Sequence, residues 1–237
     1  MGGVWILNII KSLFNRKKEK YLDPSLNLDC TEFEVNNWII SEFVIQELIP
    51  IVGVKPYPIN ELLLMVAAVC RLKPTHVFEW GTHIGKSARV FYETAHSFGI
   101  RTEIHSIDLP DEIDHVEHPK SMRGEYVKDI KEVKLYQGDG IEKSLEVIKN
   151  MPGDIKPLFF LDGDHGYESV KRELENIMIH VQDANILVHD TFYQSPESGY
   201  NIGPYRAIVE TLSSISNKYL TISIGTGLPG MTLLYQL

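Results

Sequence analysis

The sequence predicts an α/β fold, in which a doubly wound, mostly parallel sheet of seven strands carries helices on both faces and ends in an antiparallel hairpin. Two observations predict it. From residue 76 onward, short apolar runs alternate with amphipathic segments of helical period, as in parallel strands connected by helices. The last two apolar runs are joined only by the glycine-rich residues 225–230, which are too few for a parallel crossover.

The individual elements follow from local pattern. Apolar residues at helical spacing predict two N-terminal helices, over 29–48 with Pro50 ending the first and over 60–72 with Pro74 beyond the second. The strands are predicted at 76–79, 103–107, 133–136, 158–161, 185–188, 219–224 and 231–235. The helices between them are predicted at 87–97, 123–130, 141–149, 168–181 and 205–215.

Composition narrows the class of protein. The 237 residues suffice for one large domain, and no linker, repeat or low-complexity tract divides them. A net charge of -9 argues against a nucleic-acid partner, which needs a basic face, and favours a small-molecule substrate. The two cysteines, Cys30 and Cys70, show no paired-thiol or zinc spacing, which fits a reducing compartment and predicts a cytoplasmic protein.

The N-terminal segment is apolar from Val4 to Phe14 and basic over residues 15–20. This order is the reverse of a secretory signal, and the apolar part is shorter than the roughly 20 residues that span a bilayer. We predict an amphipathic segment and basic linker over 1–28, helices over 29–74 that pack on the next domain, and a catalytic domain over 75–237. Residues 4–20 are expected to pack on this chain or on a second copy in a homo-oligomer, with weak membrane-surface contact as the alternative.

A glycine loop, Glu79-x-Gly81-x-x-x-Gly85-x-Ser87, follows the first predicted strand. Its glycines permit positive φ and close approach of a ligand, and the next helix offers free amide donors at its start. The spacing is neither that of a dinucleotide fingerprint nor that of a phosphate loop, and the Glu79 carboxylate would repel a pyrophosphate. The loop therefore favours a cofactor that is cationic and lacks phosphate, with a purely structural turn as the alternative.

Single acids end the second and third strands. Asp108 stands where an acid can accept hydrogen bonds from ribose hydroxyls, and Asp139 could accept from an adenine amine. Turn or helix-capping roles are the alternative for both residues.

Charged groups gather after the fourth and fifth strands. Asp162, Asp164 and His165 follow the fourth, and His189 and Asp190 end the fifth. Neighbouring strands lie about 4.8 Å apart, so we expect Asp162 and Asp190 to face one another. Two ionised acids that close share a proton or bind a cation, and their hard oxygens suit Mg²⁺ or Ca²⁺. The alternative is that Asp164 caps the following helix and His165 is a turn residue.

These motifs, taken together over residues 75–237, resemble the class I S-adenosylmethionine-dependent methyltransferases. The glycine loop is similar to the first motif of that family. The Asp-Gly-Asp-His run, followed by a strand that ends His-Asp-Thr, resembles the macrocin-type O-methyltransferases and the cephalosporin-hydroxylase group. The resemblance implies the Rossmann-like class I fold and an S-adenosylmethionine site that includes Glu79, Gly81, Thr82, Gly85, Ser87, Asp108, Asp139 and Asp162.

The resemblance also implies a reaction, the transfer of a methyl group to a hydroxyl of a small molecule such as a sugar or natural-product intermediate. It implies a divalent metal such as Mg²⁺ on Asp162, His189 and Asp190, and a base at Asp164 or His165. The family usually has two acids where this chain has His189 and Asp190, and an imidazole suits Mg²⁺ less well, so metal dependence stays open. The alternatives are an NAD-dependent oxidoreductase or hydroxylase on a similar sheet, and a non-catalytic interaction protein that keeps the fold.

Weaker signals complete the set. Residues 111–120 predict a lid over the cofactor or a solvated loop, and residues 194–205 predict an acceptor pocket. Structural roles are expected for His76, His96, His105 and His180.

Overall fold

The computed structural model describes residues 21–25, 30, 32–115, 119–215 and 219–236. The predicted amphipathic segment over 4–20 lies outside these residues. Among the residues that are described, no helix combines the length and the apolar character needed to cross a bilayer.

The first helical stretch begins later and continues further than predicted. Helix α1 (Asn37–Phe43) is capped by the Asn36 side chain, which accepts from two backbone amides, and leads through a π-helical turn (Val44–Leu48) into the short helix α2 (Ile49–Val52). Pro50 therefore does not end the helix, because it lies in the first turn of α2, where an amide donor is not required. The stretch ends at Gly53, whose φ is +74°.

The remaining elements follow the predicted alternation closely. The second N-terminal helix is α3 (Ile59–Leu72). The rest run in the order β1 (His76–Trp80), α4 (Lys86–Phe98), β2 (Glu103–Asp108), β3 (Val133–Gln137), α5 (Gly140–Lys149), β4 (Pro157–Leu161), α6 (Tyr167–His180), β5 (Asn185–His189), α7 (Gly203–Ser214), β6 (Leu220–Ile224) and β7 (Met231–Tyr235).

The helix predicted over 123–130 is wrong, because this segment forms a series of turns. Gly124 has a φ of +66°, and its amide donates to the carbonyl of His83, while the amide of Tyr126 donates to the carbonyl of Ile84. These two bonds attach the segment to the glycine loop in place of a regular helical pattern. The segment serves as a brace against that loop.

The seven strands form one sheet in the order β3-β2-β1-β4-β5-β7-β6. The pairs among the first five strands are parallel, and β7 is antiparallel to both β5 and β6, as the short glycine-rich connection predicted. One core packs α1 to α4 against one face of the sheet, and a second core packs α5 to α7 against the other. The chain order reverses between β1 and β4, so loops from both halves meet at the carboxyl ends of these strands.

Candidate active site

A cavity of about 1480 Å³ opens at the carboxyl ends of the parallel strands. Small-molecule pockets usually measure about 300–1000 Å³, so this cavity has room for two ligands side by side. Ten predicted site residues line it, namely Gly81, Thr82, Ser87, Asp108, Asp139, Asp162, Asp164, His165, His189 and Asp190. The other two predicted residues, Glu79 and Gly85, are buried behind its wall.

Each glycine of the glycine loop lets a different neighbouring segment come close to the loop. Gly81 has a φ of +94°, and a Cβ there would overlap the backbone carbonyl oxygen of Asp162. Gly85 has a φ of +86°, and a Cβ there would meet Gly124 at 3.1 Å. The first glycine lets the loop lie against the end of β4, and the second admits the brace over 123–130.

Glu79 lies beneath this loop and is completely buried. Its Oε1 accepts a hydrogen bond of 2.5 Å from the Ser106 hydroxyl, and that hydroxyl in turn lies 2.7 Å from the hydroxyl of Thr82. Burial raises the pKa of Glu79 to about 8. The carboxyl group thus supports the loop from behind, and the cofactor contact predicted for Glu79 stays a prediction.

Asp108 ends β2 inside the cavity, as predicted, and its carboxylate is already well supplied with donors. It accepts from the backbone amides of His83 and Leu109 at 3.1 and 2.9 Å. The guanidinium of Arg123 lies 3.1 Å away and also bonds to Asp111 at 2.6 Å. Arg123 thereby ties the brace to the polar loop that was predicted to cover the cofactor.

Asp139 combines both of the roles that the sequence allowed. Its Oδ1 caps α5 by accepting from the amide of Glu142 at 3.0 Å, while the residue also lines the cavity. Burial alone would raise the pKa of Asp139, but the Arg172 guanidinium at 2.6 Å and the capped amides hold it below its usual value. Asp139 is therefore a fixed carboxylate at the wall of the cavity.

The centre of the site is a buried row of charges that the sequence did not reveal. The two ring nitrogens of His189 face two carboxylates, with Nδ1 2.7 Å from Asp162 and Nε2 3.0 Å from Glu61. Glu61 belongs to α3 and is 1% exposed, and it also accepts from the amide of Gly230 at 2.8 Å. Tyr57 completes the row by donating to Asp162 at 2.5 Å.

Within this row, His189 and Asp162 each shift the pKa of the other toward the charged form. Burial would lower the pKa of His189, but Asp162 and Glu61 raise it to about 10. Burial would raise the pKa of Asp162, but His189 holds it below its usual value. The two side chains therefore form a buried ion pair.

His165 and Asp190 form a second pair on the open side of the cavity. His165 Nε2 lies 3.2 Å from an oxygen of Asp190, and the imidazole is partly exposed. Asp190 adopts a φ of +56° at the end of β5 and accepts from the Tyr200 hydroxyl at 3.2 Å. The amide of Asn201 holds the backbone carbonyl of His165 at 2.7 Å, so the loop predicted as an acceptor pocket positions this pair.

Asp164 behaves differently from its neighbour His165. Its Oδ1 accepts from the amide of Gly166 at 2.8 Å, which closes a turn of the kind that Asp side chains commonly stabilise. Both candidate bases, Asp164 and His165, thus line the cavity, but Asp164 also stabilises the turn that leads into α6.

The donor set predicted for a divalent metal, Asp162, His189 and Asp190, comes together at one place. Nδ1 of His189 lies 2.7 Å from an oxygen of Asp162 and 3.8 Å from one of Asp190, while Nε2 is held by Glu61 at 3.0 Å. A carboxylate partner of this kind orients a metal-ligating imidazole. A cation here would need the neutral form of His189, whereas the protonated form itself supplies positive charge between Asp162 and Glu61.

Sequence reasoning missed Tyr57, Glu61 and Arg123. Glu61 had a visible signal, since it is an acid among the apolar residues of an otherwise buried helix. Tyr57 and Arg123 lie in irregular segments whose partners are distant in sequence, and no local pattern marks them.

Comparison with known proteins agrees with this geometry. Residues 78–191 match the family model described as a methyltransferase domain. None of the curated proteins is similar enough in sequence to count as a relative of this chain.

Several solved structures share the fold. The O-methyltransferase from Bacillus cereus in complex with SAH is 12% identical with a TM-score of 0.56, over 83% of this chain and 90% of that one. The SAH-bound methyltransferase PaMTH1 from Podospora anserina is 14% identical with a TM-score of 0.53, over 98% and 96%. TomG from Streptomyces achromogenes, an O-methyltransferase of tomaymycin synthesis in complex with SAM, is 13% identical with a TM-score of 0.52, over 92% and 98%. At these identities the likeness establishes the fold.

Proposed function

We propose that this chain, an S-adenosylmethionine-dependent methyltransferase by its domain and its class I fold, methylates a hydroxyl oxygen of a small molecule. The observation that carries the proposal is the pairing of His165 with Asp190 beside the cavity. An alcohol is a poor nucleophile at neutral pH, and a positioned imidazole can take its proton. The B. cereus enzyme and TomG, which share the fold, are both O-methyltransferases, and this supports the proposal.

The methyl donor would lie along the carboxyl ends of β1 and β2. When bound, S-adenosylmethionine supplies an electrophilic methyl group on a positively charged sulfur. Gly81, Thr82 and Ser87 would approach it from the glycine loop, and Asp108 has carboxylate lone pairs left for ribose hydroxyls. Asp139 would face the adenine, and Asp162 would balance the positive charge of the donor.

The acceptor would enter beside the loop over 194–205. Nε2 of His165 faces Asp190, which leaves Nδ1 without a hydrogen bond among the described residues. We assign Nδ1 as the atom that receives the hydroxyl proton while the oxygen forms its bond to the methyl carbon. Asp190 then stabilises the imidazolium, and the proton passes to solvent. Asp164 would hold the turn.

The proposed proton transfer needs no divalent cation. A positive charge is already fixed beside Asp162 by His189, and Glu61 positions that imidazole from the opposite side. We therefore expect a chelator to leave turnover unchanged. The expected reducing compartment, such as the cytoplasm, is supported by the free thiols of Cys30 and Cys70, while membrane contact and a homo-oligomer stay predictions.

The test compares two neighbouring variants in the presence of a panel of sugar and phenolic alcohols. We expect His165→Asn to lower the rate of methyl transfer by about 10²- to 10⁴-fold. Asp164→Asn should lower it much less, and both variants should bind S-adenosylmethionine with wild-type affinity by calorimetry. Wild-type rates in His165→Asn would contradict the assigned base. Preference for NAD over S-adenosylmethionine would contradict the methyltransferase itself.

A further inference from the structure

A second cluster of metal-ligating side chains lies at the opposite edge of the sheet, where β1 and β2 begin. It consists of His76, Glu103 and His105, and one ligand atom from each residue lies within 4.8 Å of the other two. None of the three lines the cavity at the carboxyl ends of the strands. The cluster is therefore independent of the methyl-transfer site.

Strand geometry explains the convergence. Glu103 and His105 are two residues apart on β2, so their side chains leave the same face of the sheet. His76 begins β1 and is paired directly with Glu103. Three ligands from two neighbouring parallel strands thus surround one point, and the backbone register fixes their positions.

Both histidines present one nitrogen and anchor the other. Nδ1 of His105 lies 3.2 Å from the Tyr136 hydroxyl, and Nδ1 of His76 lies 2.9 Å from the Thr75 hydroxyl. Second-shell partners of this kind orient metal-ligating imidazoles. His105 is only 2% exposed, and its buried Nε2 has no hydrogen bond in the described part of the chain.

A buried polar atom without a partner costs about 1–3 kcal/mol, so an unseen ligand is its natural explanation. The carboxylate nearest to this nitrogen is that of Glu103, at 4.0 Å. The neutral imidazole can donate a lone pair from this nitrogen. Lys134 faces His105 across the strands, but its ammonium is bonded to the carbonyl of Lys131 at 2.9 Å.

We propose that His76, Glu103 and His105 bind a Zn²⁺ ion that ties the beginnings of β1 and β2 together. Two imidazoles and one carboxylate are a ligand set that zinc accepts, with water at the fourth position. Bonds of about 2.0–2.2 Å in a tetrahedron bring ligand atoms to about 3.3 Å from one another. The three ligand atoms, now within 4.8 Å of one another, must therefore move closer together. The side chain of Glu103 is 44% exposed and His76 is half-buried, so both have room to move toward the buried His105.

The competing explanation is a ring stack. The rings of His105 and Phe78 lie 4.7 Å apart at 15°, and those of His105 and His76 lie 5.6 Å apart at 27°. A stack would hold the histidines in place without any ion. The two explanations differ in what Glu103 contributes, because its carboxylate has no part in the stack.

The experiment titrates ZnCl₂ into the full chain after removal of bound metal with a chelator, and follows binding by calorimetry and the melting temperature. We expect one equivalent of zinc to bind and to raise the melting temperature. Glu103→Gln and His76→Gln should each weaken binding by at least about tenfold. His96→Gln is the control, because His96 is an exposed histidine on α4 and outside the cluster, and it should bind as the wild type does.

Two outcomes would overturn the proposal. One is the absence of zinc binding by the folded wild-type chain. The other is binding that Glu103→Gln and His76→Gln leave unchanged, which would place the ion elsewhere, for example on Asp162 and Asp190. Asp190→Asn separates that case, because it should not alter the zinc affinity of the proposed cluster.

Discussion

At the scale of single residues, the site depends on buried side chains that their charged neighbours hold in place. His189 is enclosed by Asp162 and Glu61, and removing one member of such a row leaves a charge buried without its counterpart, at a cost of about 3–5 kcal/mol. The same row holds the Asp162 carboxylate in one orientation at the edge of the cavity. The row therefore determines both the orientation and the charge of the Asp162 carboxylate.

Gly81 gives a prediction at this scale. Gly81→Ala should abolish S-adenosylmethionine binding and destabilise the fold, because the new methyl group would overlap the Asp162 carbonyl and φ is +94°. Calorimetry with the cofactor and chemical unfolding measure the two effects. Gly227→Ala is the control, since a Cβ there has no neighbour within 4 Å and the residue does not line the cavity. Equal cofactor affinity in the two variants would contradict the assigned role of Gly81.

What the sequence could reveal of the site follows from the distance between partners. Residues at strand ends were placed correctly, because parallel strands expose their carboxyl ends at one edge whatever the loops do. The partner of His189 could not be found in this way, since Glu61 lies 128 residues earlier and reaches it only through the packing of α3. The bond between Glu79 and Ser106 escaped for a related reason, because it depends on the pairing of β1 with β2.

At the scale of elements, alternation and turn chemistry predicted most of the fold. All seven strands and the helices α3 to α7 lie near their predicted positions. The helix over 123–130 failed because its apolar spacing suits a helix while its amides are taken by the glycine loop, a tertiary contact that overrides propensity. The prediction that Pro50 ends the first helix failed for a local reason, because a proline is tolerated in the first turn of a new helical segment.

The N-terminal helices provide a prediction at this scale. Met65→Ala on α3 should lower the free energy of unfolding by about 2–5 kcal/mol, because its side chain is completely buried in the core that joins α3 to the sheet. Trp38→Ala on α1 is the control. Trp38 is 87% exposed, although it is one of the apolar residues whose helical spacing predicted this helix. Its free energy of unfolding, measured in urea, should stay within about 0.5 kcal/mol of the wild type. A larger loss in Trp38→Ala than in Met65→Ala would reverse the assigned packing.

At the scale of the whole molecule, buried titratable groups determine how stability depends on pH. The pKa values of Glu79 and Glu173 are both raised by burial to about 8, from an ordinary value of 4.5. Between those values the native state binds more protons than the unfolded state. Their contribution to stability is complete below about pH 4.5 and is lost as pH rises through 8. His189 has the same sign, with loss above its ordinary 6.5 and through 10.

We therefore expect the melting temperature of the ligand-free protein to fall between pH 6 and 9. Each kcal/mol lost corresponds to roughly 2–4 °C for a protein of this size. Glu79→Gln should flatten the decline, because the amide does not ionise. Glu142→Gln, at an exposed position on α5, should leave the curve unchanged. A melting temperature that rises across this range would contradict the buried, protonated state of Glu79.

Glu61 also has a consequence for the order in which the protein can become active. Its carboxylate contacts the amide of Gly230, 169 residues later, as well as His189. During synthesis α3 emerges well before Gly230, so Glu61 cannot make this contact until residue 230 has been translated. The active site can therefore be completed only after the C-terminal hairpin has left the ribosome, so unfinished chains are inactive whatever part of the sheet they have already formed.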